Sequence, residues 1–288
     1  MRTKRLPYYE CRQGIFEIDE FDCGSIFVVV GEERALVLDT GTGLGDLRWV
    51  IENKITDKPY DVVITHNHGD HIGGAGFFDT VWVHVNDMDW DNGKVLPKLD
   101  FRKRYARLIS KREGKHYIYD VDRDIVEWEK TPEKKELKDG QVFDLGGRTV
   151  TIYHCPGHTP GQCVAIDDLT GTLLCSDACN NNLLLGKGDA KSDLEAIENA
   201  YKSLKRIWDM RDRYDEVYNF HHDYRGFGSP LAENVLPNIV ECLKSLLEGT
   251  AEIKMVPDAL SETGAEKKVA VYDNVQITYM GGDISKLC

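Results

Sequence analysis

From Thr65 to Gly74 the chain reads THNHGDHIGG, so three histidines and an aspartate fall within the six residues His66 to His71. Neutral imidazole is the usual ligand of zinc-like ions, and carboxylates complete such sites. His66 and His68 stand two apart on a chain that arrives extended from the apolar run Val62 to Ile64, a spacing that lets both point the same way. Asp70 and His71 follow around a turn, close enough to serve a second ion. A single histidine here would read as part of a polar loop. Three of the chain's nine histidines within six residues, at a strand's end, reverse that reading.

The remainder of such a site lies further along. CPGHTPGQ places His158 in a Pro/Gly-rich loop after a strand ending near His154, and LLCSDACN places Asp177 after the apolar run Thr172 to Leu174. EVYNFHHDY places His221 and His222 after the run Val217 to Phe220. Each is a metal-type side chain at the end of a predicted strand, where sheet proteins commonly set their chemistry on loops.

These elements, His-x-His-x-Asp-His, Gly-His-Thr-Pro-Gly, an Asp after a strand and a final His, occur in an order that resembles the metallo-β-lactamase superfamily. The resemblance runs from about Gly24 to Asp223 and is weak over 86–130. It implies an α/β fold, an αββα sandwich of two mixed sheets flanked by helices, with a two-metal site at one sheet edge. It assigns His66, His68 and His158 to one metal, and Asp70, His71 and His222 to the other, with Asp177 bridging. His222 is preferred to His221 because the family's final ligand usually follows a glycine, the position that His221 fills here. Ser176 replaces the family's glycine before the bridging aspartate, and Asp39 matches a position that braces the ligand loop by orienting a histidine.

Other candidates carry less. His154 reads as a structural histidine, and His84 and His116 belong to no motif. Cys155, Cys175 and Cys179 read as packing residues, because the bridging position is already an aspartate. Asn180, Tyr224 and Arg225 flank ligands on loops and are the candidate substrate contacts.

The elements that must position these groups follow from pattern. Phe27 to Val30 and Ala35 to Leu38 form a hairpin around Gly-Glu-Glu, and Asp46 to Asn53 is helical. Strands are expected at Thr80 to Val85, Gln141 to Phe143, Thr149 to His154, Cys163 to Asp167 and Thr172 to Cys175. Asp193 to Arg211 has an apolar face of Leu194, Ile197, Tyr201, Leu204 and Trp208, so it reads as an amphipathic helix. A second helix runs from about Leu231 to Leu247, and KKVAVYDNVQITYM closes the chain as two short strands. The whole, 1–288, reads as one domain, with the charged, aromatic-dotted segment 86–130 inserted as a wall or lid over the metals.

The net charge of −13 disfavours a nucleic-acid or anionic-membrane partner, since phosphates need a basic surface. No segment has the apolar length of a membrane span, and MRTKRLPYYECRQG lacks the apolar run of a secretory signal. Eight scattered cysteines without a CxxC pair suggest reduced thiols and a cytoplasmic location. The oligomeric state stays open, a homo-oligomer included.

Two divalent ions can share a water, lower its pKa and hold it as hydroxide for attack on an acyl or phosphoryl centre. Asp70 is the catalytic candidate that orients this nucleophile and passes its proton onward. The ligand set fits Zn2+, and the carboxylate bridge also suits iron or manganese. The leading expectation is therefore a binuclear metal-dependent hydrolase of a small acyl compound: an ester, lactone or thioester. The alternatives are a hydroxyacylglutathione-type thioesterase, a phosphodiesterase, and a non-hydrolytic di-iron redox or sensing protein.

Overall fold

The computed structural model describes residues 1–90, 98–112, 116–185, 190–258 and 264–279. Parts of the expected 86–130 insertion, 91–97 and 113–115, lie outside the described residues.

The first sheet holds seven strands in chain order. They are β1 (Tyr8–Arg12), β2 (Ile15–Asp19), β3 (Ser25–Val30), β4 (Ala35–Leu38), β5 (Tyr60–Ile64), β6 (Thr80–His84) and β7 (Glu133–Leu137). β1 to β4 pair antiparallel and β4 to β7 pair parallel, so the sheet is mixed. Its crossovers and margins carry α1 (Leu47–Val50), α2 (Gly69–Ile72), α3 (Leu99–Ile109) and α4 (Val121–Asp124). The next strands are β8 (Val142–Asp144), β9 (Thr149–His154), β10 (Cys163–Asp167), β11 (Thr172–Ser176) and β12 (Asn182–Leu185). After α5 (Ala190–Asp209) comes β13 (Glu216–Asn219), which joins the second sheet in the order β13-β11-β10-β9-β8. The chain closes with α6 (Val235–Leu247), β14 (Glu252–Pro257), β15 (Glu266–Tyr272) and β16 (Val275–Tyr279). These last three strands and β12 form a third sheet, in the order β12-β16-β15-β14, which the sequence pattern did not reveal.

Burial defines the layers. Ile15, Phe27, Leu36 and Val63 of the first sheet meet Val150, Ile152, Leu174 and Tyr218 of the second in one core between them. Because side chains alternate along a strand, the same strands present Ile26, Val28, Val37 and Val62 outward, where Leu47, Val50, Ala106 and Ile109 of the helices cover them. On the opposite side Val164, Ile166 and Leu173 pack beneath Ile197, Ala200 and Leu204 of α5 and Ile239 and Leu243 of α6. The result is the αββα sandwich. Tyr201 and Trp208 pack only at the margin of this layer, so the buried face of α5 is turned slightly from the one read in sequence. No helix among the described residues is long and apolar enough to cross a membrane.

At the end of the sandwich where β9 begins, Arg148 fastens the two sheets. Its guanidinium donates to both oxygens of Asp167 at 2.9 and 2.7 Å, and to the carbonyls of Gln13 and Val30, each at 3.0 Å. Both members of the ion pair are buried. Removing one partner of such a pair leaves the other charge uncompensated in a dry interior. Arg148→Met is therefore expected to lower the unfolding free energy by about 3–5 kcal/mol, read from urea denaturation against the wild-type chain.

Candidate metal centre

The opposite end of the sandwich gathers the loops singled out in the sequence. β5 ends at Ile64, and the chain passes through His66 and His68 into the single turn of α2, which carries Asp70 and His71. His158 follows β9, Asp177 follows β11 and His221 follows β13.

Two groups of ligand atoms result, His66–His68–His158 and Asp70–His71–His221. Asp177 lies between them. Its Oδ2 stands 3.6 Å from Nε2 of His158, 3.5 Å from Nε2 of His71 and 3.3 Å from Nε2 of His221. Asp70 Oδ2 stands 3.5 Å from Nε2 of His221 and 3.9 Å from Nε2 of His71.

The structure corrects the choice between the paired histidines. His222 points away from both groups, with Nε2 at 3.1 Å from Asp19 Oδ1 and 3.4 Å from Asp22 Oδ1. The backbone remains extended through His221 (φ −133°, ψ 107°) before a short 3-10 turn begins at His222. Successive side chains of an extended segment face opposite ways, so only one of the pair can reach Asp177. Strand periodicity, rather than the residue that precedes the ligand, decides which.

Arg225 is likewise corrected. Its side chain is fully buried, donating to both oxygens of Glu17 at 2.6 and 3.0 Å and to Asn219 Oδ1 at 2.8 Å, so it braces the loop and is closed to a substrate. Asn180 Oδ1 accepts from the Asn182 amide, a turn within its own loop. Tyr224 is exposed at the surface. His154 is engaged as a structural histidine, with Nε2 at 2.9 Å from the Pro160 carbonyl and its ring stacked on His84.

The outer nitrogens of the ligand imidazoles are tied down. His71 Nδ1 sits 2.7 Å from Asp39 Oδ2, and His158 Nδ1 sits 2.8 Å from the Leu184 carbonyl. A carbonyl only accepts, so Nδ1 of His158 carries the proton and Nε2 presents its lone pair inward. Asp39 also receives the Thr65 amide at 2.6 Å and the Thr65 hydroxyl at 2.7 Å. That hydroxyl lies 2.7 Å from the Ser176 hydroxyl, which links the ends of β5 and β11. Ser176 has φ +48°, the left-handed region that favours glycine, which accounts for the glycine that the resembled family has here.

Sequence reasoning missed Asp87. Buried just past β6, it accepts from the Thr159 hydroxyl at 2.6 Å, the Gly161 amide at 2.8 Å and the Asn67 amide at 3.2 Å, joining the two loops of the first group. Nothing in its charged surroundings marks it, because its partners lie 20, 72 and 74 positions away. Asp87→Ala should leave the fold intact and weaken metal binding about 10–100-fold, read by competition with a chelator.

The electrostatics fit cations. Burial, reinforced by His71 and the other imidazoles, holds His66 well below the usual histidine range. Burial and the neighbouring His158 bring His68 to about 3. Burial opposes a charge on His71, but Asp177, Asp70 and Asp39 together outweigh it and raise its affinity for a proton. Asp177 shows the converse: burial favours its neutral form, yet His221 and His71 hold it ionised. The carboxylates thus demand positive charge where neutral imidazoles offer lone pairs. Nε2 of His66, His71 and His158 and Oδ1 of Asp177 are buried without a hydrogen-bond partner, a costly arrangement that metal ions would resolve.

Comparison with known proteins places this arrangement. Residues 21–214 match the model of the metallo-beta-lactamase superfamily. The chain belongs to that superfamily. Among its relatives, the acyl-coenzyme A thioesterase MBLAC2 of Bos taurus is 29% identical over 193 residues, covering 60% of this chain and 66% of the relative. The Aspergillus fumigatus atrochrysone carboxyl ACP thioesterase is 25% identical over 211 residues, 71% of this chain and 39% of the relative. The match therefore spans less than two thirds of the length of either relative. A metallo-beta-lactamase from Pontibacter korlensis superposes with a TM-score of 0.55 at 16% identity, over 83% of this chain and 99% of its own. The sec-alkylsulfatase Pisa1 from Pseudomonas sp. gives 0.59 at 15% identity, over 85% and 42%. At these identities the two structures speak for the fold alone.

Proposed function

We propose that the protein is a binuclear metal-dependent hydrolase of small acyl compounds, with thioesters as the leading class. The observation that carries this reading is Asp177 Oδ2 lying 3.3–3.6 Å from imidazoles of both ligand groups. One carboxylate so placed suits two cations better than one, and membership of the superfamily together with thioesterase-named relatives supports hydrolysis as the reaction class.

His66, His68 and His158 would hold one divalent ion, and Asp70, His71 and His221 the other, with Asp177 between them. Zinc suits these nitrogen and oxygen donors, and iron or manganese would also fit. Such a pair supplies a water of lowered pKa and polarises the acyl carbonyl. Asp70, whose carboxylate faces His71 and His221 yet is partly open to solvent, orients the attacking water and takes up its proton. Asp39 keeps the His71 ring fixed while charge shifts at the centre.

The described residues of the insertion would wall this site. Arg102 of α3 donates to the Gly73 carbonyl at 3.0 Å, and Trp128 Nε1 donates to the same carbonyl at 2.8 Å, so the segment packs directly on the turn after α2. The Tyr105 hydroxyl donates to the Cys23 carbonyl, and Arg112 pairs with Asp223 in the loop after His221.

Acyl-coenzyme A thioesters, aryl esters and lactones should be hydrolysed at least about 100-fold faster than phosphodiesters and β-lactams by the zinc- or manganese-loaded protein. Dominant phosphodiesterase turnover would overturn the reading. Asp177→Ala should empty both metal positions in elemental analysis, while His221→Ala should empty the second alone. Ions persisting at both the His158 and the His71 positions in either variant, located by anomalous diffraction, would refute the bridging assignment.

A further inference from the structure

The residue that the metal centre leaves over defines a second cluster. Asp19 ends β2, Asp22 lies in the turn before β3, and His222 comes from the loop after β13. His222 is 8% exposed, and its Nε2 is buried without a hydrogen bond, although it faces Asp19 Oδ1 at 3.1 Å and Asp22 Oδ1 at 3.4 Å. A protonated imidazole settled against one carboxylate would make an aligned bond at about 2.8 Å. Instead the nitrogen stands between two oxygens, aligned with neither.

We propose that Asp19, Asp22 and His222 form a third cation site, separate from the pair bridged by Asp177, that takes a divalent transition-metal ion, zinc foremost. Donor atoms bound at about 2.0–2.2 Å to one ion lie about 3.0–3.5 Å from one another, and the observed separations fall in that range. Asp22 Oδ2 accepts from the Tyr117 hydroxyl at 2.5 Å, and Asp19 Oδ1 accepts from the Asp22 amide at 2.7 Å. Asp22 is buried and the Asp19 side chain is only 14% exposed, and carboxylates so withdrawn from water favour a cation beside them. One imidazole and two carboxylates are a zinc-type donor set with room for a water, because Asp19 keeps some exposure. An ion here would fasten the β2–β3 turn to the loop that carries His221, so it would support the central site from behind.

The test begins with elemental analysis of protein equilibrated with zinc and then dialysed. The wild-type chain should hold one zinc more than Asp19→Asn/Asp22→Asn, which preserves shape and removes charge. A His158→Ala/Asp177→Asn variant should keep one zinc, which disappears when the two asparagine substitutions are added. Anomalous diffraction at the zinc edge from wild-type crystals should show a peak about 2.0–2.2 Å from the three donor atoms. Equal zinc content in the wild type and the asparagine variant, or no peak at His222, would overturn the proposal. If the asparagine variant fails to fold, the diffraction experiment decides alone. A peak at His222 without one at Asp177 would sink the binuclear reading and leave the third site standing.

Discussion

Asp39 is the constraint on which the centre rests. One carboxylate, fully buried at the end of β4, receives the amide and hydroxyl of Thr65 and the Nδ1 of His71. Thr65 is where β5 gives way to the ligand loop, so both the start of that loop and its last histidine are referred to the same two oxygens. The Thr65 hydroxyl extends the tie to Ser176, and with it to the neighbouring sheet. Without Asp39, His71 would lose its orientation and Thr65 the acceptor that fixes its amide and hydroxyl. A buried carboxylate is stable only when its lone pairs are met, and here every partner belongs to the site it organises.

The sandwich makes such an arrangement affordable in structural terms, because hydrophobic packing lies behind the polar end. Ile152 and Leu174, buried in the core between the sheets, lie on the strands that lead to His158 and Asp177. Each ligand therefore hangs from a strand already fixed by packing, and the loops themselves need little stability of their own. Charge balance within the cluster has the same economy. His71 and His221 favour a proton because Asp177 and Asp70 surround them, while His66 and His68 resist one because they are buried among imidazoles.

Much of this was legible in the sequence, for physical reasons that also explain the failures. The strands β9 and β10 fall where their apolar runs place them, because a strand buried on both faces writes its limits in composition. β7, with the sequence EKKEL, is a charged edge strand whose only buried side chain is Leu137, so no alternation announces it. β12 was missed because its pairing with β16 spans distant parts of the chain, and β14 because it is an edge strand, EIKMVP, that buries almost no side chain and so shows no alternation. His66, His68, Asp70, His71, His158 and Asp177 converge as their positions after strands suggested. His221 and His222 could not be separated by motif, since a shift of one residue reverses the facing of an extended chain. Asp87 and the Glu17–Arg225 pair are purely tertiary facts.

The two ends of the sandwich are closed by opposite kinds of fastening. At the Arg148 end the clasp is intrinsic: its donors and acceptors come folded from the chain and match one another. At the Asp177 end, carboxylates and unpaired imidazole nitrogens crowd together and need something from outside to reconcile them. The molecule therefore resembles a book bound along one spine, whose free margin is sealed or loosened by what the surrounding medium supplies. Starved of ions, it would breathe at that margin first, with hydrogen exchange rising in the loops after β5, β9, β11 and β13 while the bound edge stays protected.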